Sequence, residues 1–73
     1  MKKQRVPRHF KKLIATIHVQ TSVTEPGDKV EVIVHPKKSG YLLTNLRTGQ
    51  DNIYFFSSHI HNPELITIDD VIK

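Results

Sequence analysis

The chain has 73 residues, no cysteine, no tryptophan and a net charge of +4. That length holds one domain, and without cysteine there is neither a disulfide staple nor a thiolate zinc site, which suits a reducing, cytoplasmic setting. Its apolar runs cover only a few residues, far below the ~20 that span a bilayer, and no secretory leader follows the charged start, so a soluble protein is expected.

Charge divides the sequence. Lys2, Lys3, Arg5, Arg8, Lys11 and Lys12 crowd residues 1–12 without an acid, giving +6, while the remainder carries five Lys/Arg against seven Asp/Glu. An arm of this kind is expected to steer the chain to an anionic partner and to hold phosphate or another anion. Residues 1–9 contain Pro7 and little apolar content, which predicts a mobile arm. Phe10, Leu13, Ile14 and Ile17 then follow helical spacing, whereas Ile17 and Val19 alternate with polar neighbours. The expectation is a short helix near 7–13 passing into a strand near 14–20.

Thr24-Glu-Pro-Gly-Asp28 is the clearest turn, since Pro26 fixes φ and Gly27 tolerates the positive φ of type II geometry. Lys29–His35 alternates cleanly and predicts a strand with Val30, Val32 and Val34 on one face. A polar loop, Pro36–Gly40, leads to a strand over Tyr41–Arg47, a turn at Thr48–Asn52 and a strand over Ile53–Phe56. Ser57-Ser-His59 suits a tight 3₁₀-like turn, and Leu65–Ile68 a last strand. Five short strands predict a mostly β protein, and barrel closure is the economical way to remove exposed edges. The expected core is Ile17, Val19, Val30, Val32, Val34, Leu42, Leu46, Phe55, Ile60, Ile66 and Ile68.

Ala15-Thr-Ile-His-Val19, Pro26-Gly-Asp-Lys-Val-Glu-Val-Ile33, Gly40-Tyr-Leu-Leu43 and Tyr54-Phe-Phe-Ser-Ser-His-Ile60 resemble, in order, the landmarks of an SH3 domain. The resemblance covers residues 13–68 and implies a small five-stranded SH3-like barrel over 13–73, preceded by the basic arm 1–12. A basic helical extension before the first strand is similar to that of helically extended SH3 domains in adaptor proteins. The peptide groove of the family is altered. Its opening tyrosines correspond to Ile17 and Val19, its proline to Phe56 and its last tyrosine to His59, and no tryptophan exists. Polyproline recognition is therefore not implied.

Candidate chemistry is sparse. His59-Ile-His61 could place two imidazoles on one strand face, but two ligands do not make a metal site. No nucleophile has an evident base and no glycine-rich phosphate loop is present, so neither catalysis nor a cofactor is expected. Tyr41, Arg47, Tyr54, Phe56 and His59 are the candidate interaction surface. A non-catalytic module contacting a protein partner is the leading expectation. The alternatives are binding of DNA or RNA, with the arm on phosphates and Tyr41 or Tyr54 stacking on bases, and binding of an anionic membrane surface through the same arm.

Overall fold

A computed structural model describes residues 4–73, so Lys2 and Lys3 of the basic arm lie outside the described residues. Five antiparallel strands form one sheet: β1 (Lys12–Ile17), β2 (Lys29–Val34), β3 (Tyr41–Asn45), β4 (Ile53–Phe55) and β5 (Ile66–Ile72). A single helical turn, α1 (Ser57–Ile60), joins β4 to β5. The sheet order is β4-β3-β2-β1-β5, a meander whose last strand returns beside the first. No helix among the described residues is long and apolar enough to cross a membrane.

Strand alternation builds the core directly. Leu13, Ala15 and Ile17 of β1 and Val30 and Val32 of β2 are fully buried, each two residues from the next and so on one face. The register sets Leu13 opposite Val32, Val32 opposite Leu43 and Leu43 opposite Ile53, so one apolar row crosses four strands. Ile60 from α1 and Ile66 from β5 complete it. Burial of each such side chain contributes about 1.5–3 kcal/mol.

The turn before β2 takes the expected form. Asp28 N–H donates to the Glu25 carbonyl at 3.1 Å, and Gly27 has φ +93°. Gly27 N–H donates to the Ile17 carbonyl at 2.7 Å and Ile17 N–H to the Asp28 carbonyl at 2.8 Å, fastening the turn to the end of β1.

Three expectations need correction. First, the sheet is open: β4 and β5 are its edges. With only three residues, β4 is too short to wrap round to β5, and α1 and the N-terminal segment cover the inner face in its place.

Second, no helix forms near 7–13, and the segment from Gln4 packs on the body. Gln4 Oε1 accepts from Ile68 N–H at 2.7 Å, and its Nε2 donates to the Ile66 carbonyl at 2.9 Å and the Ile60 carbonyl at 3.1 Å. One side-chain amide thus supplies the donor and acceptor that a sixth strand would offer β5. Phe10 stacks on Tyr41, with ring centroids 6.4 Å apart and planes at 16°, and Val6 and Phe10 pack on the core. The helical spacing loses because β1 lies between two strands and gains ladder hydrogen bonds on both sides.

Third, the face of β3 is reversed. Tyr41, Leu43 and Asn45 point inward, leaving Leu42 half-buried and Leu46 exposed. Val34 is 55% exposed because the sheet ends beside it, while Leu13, Ala15, Leu43 and Ile53 join the core.

Candidate functional site

The outer face of the sheet separates into two chemically distinct halves. On β1, β2 and β5 it is an ion-paired lattice. Lys12 Nζ meets Glu31 Oε1 at 2.9 Å. Lys29 Nζ meets Asp69 Oδ2 at 2.9 Å, and Thr16 Oγ1 donates to the same oxygen at 2.5 Å. Asp69 reaches them because the register shifts here: Ile14 opposes Asp70 and Ala15 opposes Ile68, so Asp69 is the extra residue of a β-bulge. Those contacts, the Thr16 hydrogen bond first and then Lys29, hold its carboxyl below the usual range.

On β2, β3 and β4 the outer face is apolar. Ile33 lies opposite Leu42 and Leu42 opposite Tyr54, a row that ends against Phe56. Tyr54 and Phe56 meet edge to face at 5.0 Å and 83°, and Phe56 is 58% exposed. A contiguous apolar patch, not one exposed side chain, marks a contact surface, and here Phe56 lies against the Tyr54 ring. Beyond this ring pair lies a groove of about 220 Å³ lined by Val19, Thr21, Tyr54, Phe55, His59 and Leu65. His59 sits at its corner, 5.4 Å from the Phe55 ring and 5.5 Å from the Phe56 ring. Its Nδ1 accepts from Phe56 N–H at 3.2 Å, which satisfies an N-terminal donor of α1 and fixes the imidazole.

The β2–β3 loop forms the rim. His35 Nδ1 accepts from the N–H groups of Lys37 and Lys38 at 3.0 and 3.1 Å. The His35 ring stands edge-on to Tyr54 at 5.6 Å, and Lys38 Nζ lies 5.8 Å from the Tyr54 ring centroid. The Tyr54 hydroxyl donates to the Ser39 carbonyl. Gly40 makes this approach possible, since a Cβ there would lie 2.7 Å from the Tyr54 hydroxyl and 2.8 Å from the Phe55 carbonyl oxygen.

Of the candidate interaction residues, Tyr54, Phe56 and His59 come together on this patch. Tyr41 and Arg47 lie elsewhere. Tyr41 faces the inner side beneath Phe10, and Arg47 is engaged by Asp28 and Glu25. Asp28 is 4% exposed and accepts from Arg47 Nε, Asn45 Nδ2 and Glu25 N–H. The Arg47 hydrogen bond above all, then that of Asn45, pulls the Asp28 carboxyl far below the usual range. The contact in turn raises Arg47.

Arg5, Arg8 and Lys11 are exposed, and Lys12 belongs to β1 and pairs with Glu31. His59 and His61 diverge, His61 Nδ1 contacting the Gln4 carbonyl at 2.9 Å. Among the described residues no three His, Asp or Glu side chains gather as metal ligands.

Sequence reading missed His35, Lys38, Val19 and Leu65 as members of the patch. The signal was the run His35-Pro-Lys-Lys-Ser-Gly40, a basic loop between two strands, one of which pairs with the Tyr54 strand. No protein-family model matches the chain, and no curated protein or solved structure is significantly similar to it.

Proposed function

We propose that this chain is a non-catalytic interaction module of SH3-like fold, with its sheet left open, that holds a segment of a protein partner against the β3–β4 side of its sheet. The observation that carries the reading is the apolar groove between Val19, Phe55, His59 and Leu65, continuous through Tyr54 with the exposed Phe56. A concave apolar site beside projecting aromatics provides the anchor pocket and contact area from which interface affinity is built.

Three features support the SH3-like assignment. The last strand returns beside the first, a type II turn at Pro26-Gly27 leads into β2, and one helical turn separates β4 from β5. The polyproline mode is not part of the proposal. Ile17 is fully buried where the family groove would need an exposed ring, and Phe56 replaces the proline.

The test is selection of a random-peptide library on the full chain, followed by amide chemical-shift mapping by NMR. Selected peptides are expected to move the resonances of Val19, Tyr54, Phe56, His59 and Leu65. Phe56→Ala should leave the unfolding midpoint near that of the parent and weaken binding by about tenfold or more. Shifts confined to the Lys12, Glu31 and Asp69 half of the sheet, or failure to select any peptide, would overturn the reading.

A further inference from the structure

We infer that the partner segment is acidic: an apolar anchor flanked by carboxylates, with Lys37 and Lys38 as the pair that recognises them. This rests on the docking reading above and adds the chemistry of the ligand. Lys38 Nζ stands 5.8 Å from the ring of Tyr54, and Tyr54 lines the groove, so a positive charge lies one ring away from it. Lys37 is held in the same loop by the shared His35 acceptor.

Three other cations of the sheet and its loops are matched, while Lys73 and the exposed Arg5, Arg8 and Lys11 lie outside the groove lining. Lys12 pairs with Glu31, Lys29 with Asp69, and Arg47 with Asp28 and Glu25. Among the described residues no carboxylate lies within 4.0 Å of Lys37 or Lys38. The loop between β1 and β2 carries the acids Glu25 and Asp28, and both face Arg47. Asp28 is further occupied by Asn45 and the Glu25 N–H. The one carboxylate next in sequence to a lining residue is the exposed Glu64, before Leu65. Glu25, Asp28, Glu31 and Asp69 are thus engaged by cations within the fold, while the two lysines remain available for an anionic ligand.

Ring geometry favours a peptide over a nucleic acid. Bases stack on flat, open ring faces. Here Tyr54 meets Phe56 at 83° and His35 at 80°, and Phe55 meets His59 at 66°. The rings make a walled corner suited to one apolar side chain. Two lysines in one loop also give a local contact, not a basic track along a phosphate backbone.

The experiment reads the composition of peptides selected on the full chain, then measures the best of them against a Lys37→Glu/Lys38→Glu double variant. Both lysines are exposed, and an unchanged unfolding midpoint checks that the variant is folded. Asp or Glu flanking an apolar residue is expected, with binding that weakens as salt rises and falls by about tenfold or more in the variant. The variant should select Lys- or Arg-bearing peptides instead. Neutral or basic peptides seated in the groove of the parent chain would overturn the acidic-partner inference and leave the docking reading standing. Failure to select any peptide would remove both. Oligothymidylate that shifts the same resonances, and loses affinity in the variant, would replace both with a nucleic-acid site.

Discussion

Arg47 grips Asp28 at two points, Nε donating to Oδ1 at 2.5 Å and Nη2 to Oδ2 at 3.1 Å. The pair links the loop leaving β3 to the turn entering β2, and Asn45 braces it from within the core by also donating to the Val23 carbonyl at 3.0 Å. The Val23 segment of the β1–β2 loop is thereby tied to the paired ends of β2 and β3.

This contact sets an acid dependence. Asp28 and Asp69 both titrate below their ordinary value in the folded state, so between that value and the folded one the unfolded chain binds more protons. Their contribution to stability is present above the unfolded value of about 3.9 and declines as pH falls below it. The urea midpoint should therefore drop steadily below about pH 4. Asp28→Asn should start from a lower midpoint at neutral pH and show a shallower acid slope, the remainder belonging to Asp69.

The inward face of β3 can be tested by paired truncations. Leu43→Ala removes a fully buried side chain and should cost about 2–5 kcal/mol in chemical denaturation. Leu42→Ala should cost less than half as much. Equal losses would contradict the register.

The alternation of Tyr41-Leu-Leu-Thr-Asn-Leu46 explains why this face was misjudged. Leu42 and Leu46 share a parity and form the more hydrophobic set, whereas the true inward set ends in Asn45. An inward asparagine is intelligible only once Asp28 and Val23 are beside it, and they come from another part of the chain. By contrast, β2 and the Pro26-Gly27 turn were legible, because strict alternation and local φ requirements need no distant partner. Tyr54, Phe56 and His59 were legible as candidates for the same reason. Their assembly with His35 and Lys38 was not, since it depends on how β3 pairs with both β2 and β4. Gln4 gave no sequence signal at all: a single glutamine standing in for a strand is a long-range event.

Gln4→Ala leaves Ile68 N–H without its acceptor. Ile68 is part-buried on an edge strand, so water can take the acceptor's place and the loss should be about 1 kcal/mol. Amide exchange at Ile68 should accelerate in the variant far more than exchange at Val32, which lies in the interior of the sheet.

Gly40 and Gly27 both have positive φ, but only Gly40 faces close neighbours. Gly27→Ala should cost about 1–2 kcal/mol for the left-handed backbone alone. Gly40→Ala should cost more and displace the Tyr54 ring, visible as a changed aromatic resonance.

Because β5 pairs with β1, and Ile66 opposes Ile17, the edge ladder of the sheet joins the first and last strands of the described chain. The β2–β3–β4 meander can form from near neighbours, but β1 stays half-paired until the final residues are present. As synthesis runs from the N-terminus, the growing chain carries Leu13, Ala15 and Ile17 incompletely covered until Ile66–Ile72 has left the ribosome. Loss of that last strand should therefore be more damaging than a cut in the exposed turn at Gly49, for it removes the partner of the strand on which the core is built.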